Sequence, residues 1–218
     1  MKGLFITGTD TSAGKTVASA ALMHRYRAAC SLCYWKPIQT GIEQDDDTET
    51  VRRLGGCAEQ EVFTEGIRLP KPVSPHLAAR RMGVTIDLRT LASSRPNEEA
   101  GWIVEGAGGL LVPVNETETM ADWIALLGLP VLVAARSGLG TINHTLLTLE
   151  ALRVRSLRVA GVIMVGEPNP DNREAIEKYG EVQVIAEMPP LNPLDSATLA
   201  AWSAAHLDPA GLLLHYLR

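Results

Sequence analysis

Cysteine is scarce in this chain. Three among 218 residues is a small and odd number, which excludes the disulfide framework of a small secreted domain. Cys30 and Cys33 form a C-x-x-C pair, but Cys33 falls inside Leu32-Cys33-Tyr34-Trp35, an apolar run that reads as a strand. A redox pair belongs at a helix N-terminus, where the thiolate is stabilised. No second pair completes a zinc site, so unpaired thiols are expected. Long apolar runs are also missing: none approaches the ~20 residues of a membrane helix. The first apolar run, residues 4–6, leads straight into a glycine loop, unlike a signal peptide. Concentrated positive charge is missing too. The formal net charge is -5, and the basic residues are scattered or paired, as at Arg52-Arg53 and Arg80-Arg81. A nucleic-acid binder gathers Lys and Arg on one face. These absences leave a cytoplasmic protein with no membrane and no nucleic acid as the expectation.

What is present is a regular alternation. Apolar runs at residues 3–7, 32–35, 102–105, 131–134, 159–165 and 182–185 read as strands. Most are continuous rather than alternating, which marks strands buried on both faces. Helical patterns lie between them at residues 15–28, 48–54, 76–82, 121–127, 142–153 and 172–179, with two more near the C-terminus. The expected fold is α/β: a doubly wound, mostly parallel sheet in a single domain over residues 1–218. No internal repeat or low-complexity segment is visible, and residues 59–75 read as surface loop. Ligands of such sheets bind beyond the carboxyl ends of the strands, so the segment after each strand carries the functional information.

After the first strand stands GTDTSAGKT: Gly8, Thr9, Asp10, Thr11, Ser12, Ala13, Gly14, Lys15 and Thr16. A strand, a glycine loop, Lys-Thr and a helix form the context of a P-loop, whose backbone N–H groups cradle phosphates. Lys15 reaches the terminal phosphates and the Thr16 hydroxyl ligates Mg²⁺. Gly8 and Gly14 have five residues between them, so the loop is a variant of the strict spacing of four. The second strand ends in Lys36, with Pro37 and Gly41 suggesting a fixed turn and Thr40 within it. The run Asp45-Asp46-Asp47 precedes a helix; one of the three could cap it, and Asp47 is favoured as a metal ligand. The third strand ends Glu105-Gly106-Ala107-Gly108. Glu105 stands at the second Mg²⁺ position of P-loop enzymes, and the glycines permit close approach of a substrate. After the fourth strand, Gly140, Thr141, Ile142 and Asn143 open a helix, a second place where backbone N–H groups could face an anion. Taken alone, that segment is better explained by an ordinary N-cap at Thr141 or Asn143.

Taken together, GTDTSAGKT, YWKPIQTG, PVSPH, VEGAGGLLVP, ADW, GLGTINHTLLT and EMPPL, in this order, resemble the dethiobiotin synthetases. The resemblance implies a ligase that uses ATP and Mg²⁺ to carboxylate 7,8-diaminopelargonate with CO2. A carbamate would attack the γ-phosphate, and the neighbouring amine would close a cyclic urea, releasing ADP and phosphate. Lys15 and Lys36 would serve the carbamate and the transferring phosphoryl group. Thr16, Asp47 and Glu105 would hold Mg²⁺. Thr11, Lys36, Thr40 and Gly108 would meet the substrate's polar end. The backbone of residues 105–108 would lie against the ligands, and Val165, Gly166, Pro189, Pro190 and Leu191 would lie near the base. A homodimer is implied, in which residues 140–143 of one copy receive the carboxylate of substrate bound to the other.

Two departures bear on nucleotide handling. Position 12 is Ser where many relatives carry Glu. Val165-Gly166 stands where some carry an Asn-containing pair, so loose base selectivity is expected. Lys36→Ala is expected to fold normally and lose most turnover. The rival readings are a ParA-like partitioning ATPase, whose family adds an early lysine to the loop where Thr9, Asp10 and Thr11 stand here, and a related amide-forming enzyme such as a cobyrinate amidotransferase, whose glutaminase domain this chain has no room for.

Overall fold

The computed structural model describes residues 1–94 and 99–218. Its frame is a seven-stranded sheet. The strands are β1 (Lys2–Gly8), β2 (Leu32–Trp35), β4 (Val62–Phe63), β6 (Gly101–Gly109), β7 (Val131–Arg136), β8 (Val159–Val165) and β9 (Val184–Met188). They run in the order β4-β2-β6-β1-β7-β8-β9, and every pairing is parallel. β1, first in the chain, therefore lies in the middle, with β6 and β7 beside it. Six of its seven residues are buried, as its unbroken apolar run requires.

Helices cover both faces. One core holds Phe5, Trp35, Val104 and Val133 against α5 (Met120–Leu127), α6 (Thr141–Val154) and α7 (Pro170–Gly180). The other holds Leu4, Ile6, Ile103 and Leu132 against α1 (Lys15–Tyr26), α2 (Asp47–Leu54), α8 (Ser196–His206) and α9 (Leu214–Leu217). Neighbouring residues of a strand thus serve opposite cores, the period-2 geometry of a sheet buried on both sides. None of the described helices is long and apolar enough to cross a membrane. Cys30, Cys33 and Cys57 are free thiols.

Three sequence expectations need correction. Residues 59–75 are not simply loop: they contain β4 and a further strand, β5 (Ile67–Leu69). The turn expected after β2 contains β3 (Ile38–Thr40), which pairs with β5 in a separate two-stranded sheet. Two short helices, α3 (Pro75–Met82) and α4 (Leu88–Ser93), follow; only the first was anticipated. α4 is nucleated by Asp87, whose carboxylate accepts from the backbone N–H groups of Arg89 and Thr90, the N-cap arrangement. β6 runs on through its glycines to Gly109, which pairs with Gly8 after a shift of register beyond Ile6 and Glu105.

Candidate active site

The carboxyl ends of β1, β2 and β6 meet at one cavity of about 380 Å³. Thr11, Lys15, Thr16, Lys36, Thr40, Asp47, Glu105 and Gly108 all line it. Residues drawn from four separate stretches of sequence are thus brought together. Gln44, Asp45 and Pro72 complete the wall, and sequence reasoning had not assigned them a role there.

The glycine loop enters α1 through Gly14, at φ 89°. A side chain there would be strained in the left-handed region, and a Cβ would fall 2.8 Å from the Val165 methyls. Glycine therefore lets the loop lie against the end of β8. The Thr9 N–H donates to the Ala134 carbonyl (3.0 Å), and Arg136 pairs with Asp10 at 2.6 Å. The loop is tied to β7 at two points. The Lys15 ammonium donates to the carbonyls of Asp10 and Thr11, both at 3.0 Å.

Lys36 leaves β2 behind Trp35, which packs edge-on against Trp123. Its ammonium lies 2.6 Å from Asp47 Oδ2 and 2.7 Å from Glu105 Oε1. Glu105 is fully buried and Lys36 is 6% exposed. The Thr16 hydroxyl lies 2.9 Å from Asp47 Oδ1 and 3.1 Å from Glu105 Oε1. That hydroxyl has one proton for two carboxylates, and the cation these oxygens meet is the Lys36 ammonium. Among the described residues no three His, Cys, Asp or Glu side chains form a metal cluster. Two carboxylates and one hydroxyl, completed by phosphate and water oxygens, fit the ligand habit of Mg²⁺.

Asp47 reaches this point because Asp46, not Asp47, caps α2. The Asp46 carboxylate accepts from the N–H groups of Thr48 and Glu49 and pairs with Arg68 of β5. The buried Gln39 amide of β3 donates to the Asp45 carbonyl (3.1 Å). The small sheet therefore holds the loop that presents Asp47.

Charge sets the protonation states. Burial pulls the Lys36 ammonium down, but Glu105 and Asp47 outweigh it and hold its pKa above the ordinary lysine value. Burial pushes the Asp47 carboxyl up, yet Lys36 prevails and holds it below the usual range. Lys15 is pulled down to about 8, chiefly by burial, with Glu105 resisting and the like charge of Lys36 adding to the fall.

The remaining assigned residues lie elsewhere. Val165 lies against Gly14 of the loop, and Val165, Gly166, Pro189, Pro190 and Leu191 are not among the residues that line the cavity. Residues 140–143 open α6 away from it. Gly140 precedes that helix at φ 92°, with no side-chain cap, and the Thr141 hydroxyl donates instead to the Arg136 carbonyl. The ordinary side-chain N-cap at Thr141 or Asn143 is thereby overturned.

A family model described as an AAA domain matches residues 2–198. Among solved structures, a ParA family ATPase from Chlorobium tepidum TLS superposes with a TM-score of 0.54. It covers 93% of this chain and 97% of its own, at 11% identity. The cell division ATPase MinD of Pyrococcus furiosus gives 0.52 over 93% and 97%, at 12% identity. These likenesses show the fold alone: the doubly wound parallel sheet of the P-loop NTPase type. Curated relatives match at much higher identity. The ATP-dependent dethiobiotin synthetase BioD of Paramagnetospirillum magneticum is 50% identical over 92% of this chain and 94% of its own length. That of Agrobacterium fabrum is 43% identical over 95% of each. The chain belongs to the ATP-dependent dethiobiotin synthetase family, and is an ATP-dependent enzyme of ligase type. The likeness to partitioning ATPases does not extend beyond the fold.

Proposed function

We propose that the chain carboxylates 7,8-diaminopelargonate with CO2 and closes the product to a cyclic urea at the expense of ATP. The observation that carries this reading is the convergence of Lys15, Lys36, Thr16, Asp47 and Glu105 on one cavity. One substrate amine attacks CO2 and loses a proton, forming an N–C bond and a carbamate. A carbamate oxygen attacks the γ-phosphorus, and the bond to ADP breaks. The second amine then attacks the carbonyl carbon of this anhydride, loses a proton and expels phosphate.

Carbamate and triphosphate are both anions, so the chain's part is to gather and neutralise them. The loop N–H groups and Lys15 hold the phosphates, and Lys36 lies where carbamate and γ-phosphate meet. Thr16, Asp47 and Glu105 would hold Mg²⁺, which supplies charge neutralisation at the phosphate oxygens when bound. Thr11, Thr40 and Gly108 would orient the amine end. The burial of Lys36 and Glu105 strengthens every such interaction by excluding water.

The reading includes a second copy of the chain. The substrate carries its carboxylate far from its amines, and the cavity serves the amine end. The start of α6, preceded by the exposed Leu139, would receive the carboxylate of substrate bound to the other copy. Beside it lies a mostly apolar hollow of about 390 Å³, lined by Leu110, Leu111, Val112 and His144. The test of the reaction is isotopic. Carbon-13 from bicarbonate should enter the ureido carbon, with ADP and phosphate released only when diamine and Mg²⁺ are present. ADP release that ignores the diamine would overturn the assignment.

A further inference from the structure

The two oxygens of Glu105 have different neighbours. Oε1 faces the cavity, meeting Lys36 Nζ at 2.7 Å and Thr16 Oγ1 at 3.1 Å. Oε2 faces the scaffold, 3.0 Å from the Tyr34 hydroxyl and 2.9 Å from Ser19 Oγ. Both of those hydroxyl residues are fully buried. Tyr34 comes from β2, and Ser19 from α1, one turn beyond Lys15. The phenol has one proton, and its hydrogen-bond partner is Glu105. The serine proton faces both Oε2 and the Lys15 carbonyl.

We infer that Tyr34 and Ser19 are positioning residues for the reaction: they commit Oε2 to the protein, so that Oε1 alone turns to Lys36, Thr16 and the Mg-nucleotide. The inference rests on the reading of Glu105 as a ligand in the proposed function. The terminal torsion of a glutamate is broad, so a carboxylate without fixed donors would sweep both oxygens through the site. A purely structural strand position would take phenylalanine, since a buried hydroxyl carries a desolvation cost unless it is bonded.

The test compares Tyr34→Phe, Ser19→Ala and Glu105→Gln with the wild type. Calorimetry measures the affinity of a non-hydrolysable ATP analogue with and without Mg²⁺; steady-state assays measure kcat and the KM for the diamine. Loss of an outer partner of a metal ligand costs ~10–100-fold in metal affinity or activity. Tyr34→Phe should melt cooperatively, lose ~10-fold of the Mg²⁺-dependent gain in affinity, and lose a similar factor in kcat. Its KM for the diamine should hold, because Tyr34 is buried and does not line the cavity. Ser19→Ala should move the same quantities in the same direction, and it decides alone should Tyr34→Phe fail to fold. If Glu105→Gln abolishes the Mg²⁺ gain while the other two variants keep wild-type values, the positioning role is overturned and the site reading stands. If Glu105→Gln itself keeps the gain, Glu105 is no ligand, and the inference falls with that reading.

Discussion

Replacing Lys36 with methionine removes an ammonium while keeping most of its aliphatic volume. The consequence follows from its two partners, 2.6 and 2.7 Å away. Glu105 has Lys36 as its ion-pair partner among the described residues, and it is fully buried. Removing one member of such a buried pair costs roughly 3–5 kcal/mol, because the other charge is left uncompensated. At ~2–4 °C per kcal/mol for a chain of this size, the melting temperature should fall by roughly 6–20 °C. This revises the expectation that the residue matters to chemistry and not to folding. The pH window is wide. The Lys36 pKa is raised, so its contribution is complete below the unfolded value of 10.5 and is lost only as pH rises through the folded value. The Asp47 pKa is lowered, so its contribution is complete above 3.8 and is lost as pH falls through the folded value. The deficit of the variant should therefore be flat across neutral pH. Turnover should drop ~10²–10³-fold, the usual loss for a deleted charge-stabilising donor. Pairing Lys36→Met with Glu105→Gln should restore most of the stability and none of the turnover, since removing both partners is often close to neutral. Thermal melts and steady-state assays on the three proteins decide it. A Lys36→Met enzyme with wild-type melting temperature and turnover would refute the reasoning.

Three further outcomes are expected. His24 Nε2 lies 2.8 Å from the Leu54 carbonyl, and burial, only partly opposed by that bond, lowers its pKa from 6.5. Its contribution is thus full above pH 6.5 and is lost as pH falls through the folded value; His24→Gln should flatten that acid-side decline in melts, and an unchanged decline would clear the residue. Base selectivity should be loose, because the Gly166 N–H is spent on the Met188 carbonyl and Pro189 and Pro190 have no N–H to give. CTP and GTP should replace ATP with a modest loss in kcat/KM, and a preference for ATP above about 10³-fold would reject the idea, since apolar slots often manage only ~10²-fold. Sedimentation at assay concentration should find a dimer; a fully active monomer would end the two-copy reading.

The sheet was legible because strands buried on both faces carry an unbroken apolar signal, as residues 159–165 do. β3, β4 and β5 were not, since strands of two or three residues have no period to read and owe their pairing to distant partners. The same contrast runs through the site. Lys15, Thr16, Lys36, Asp47 and Glu105 announce themselves because each follows a strand or opens a helix. Ser19 looks like any helix serine and Tyr34 like any strand tyrosine. Their shared partner is 86 and 71 residues away in the chain, and only the fold reveals it. Gln39 was hidden likewise: its role is to hold a backbone carbonyl, and local sequence does not show where such a bond goes.

The cavity straddles two sheets of unequal strength. Lys15, Thr16 and Glu105 are fixed to the seven-stranded one, whereas the first turn of α2 is held by Gln39 and Arg68 of the two-stranded one. Two strands of three residues each open at a far lower free energy than the whole molecule unfolds. Each such opening would release the ties to Asp45 and Asp46, leaving Asp47 to its bonds with Lys36 and Thr16. The loop before α2 thus rests on the weaker of the two supports. Amide exchange at Gln39 and Leu69 should run faster than at Ile103 or Val133.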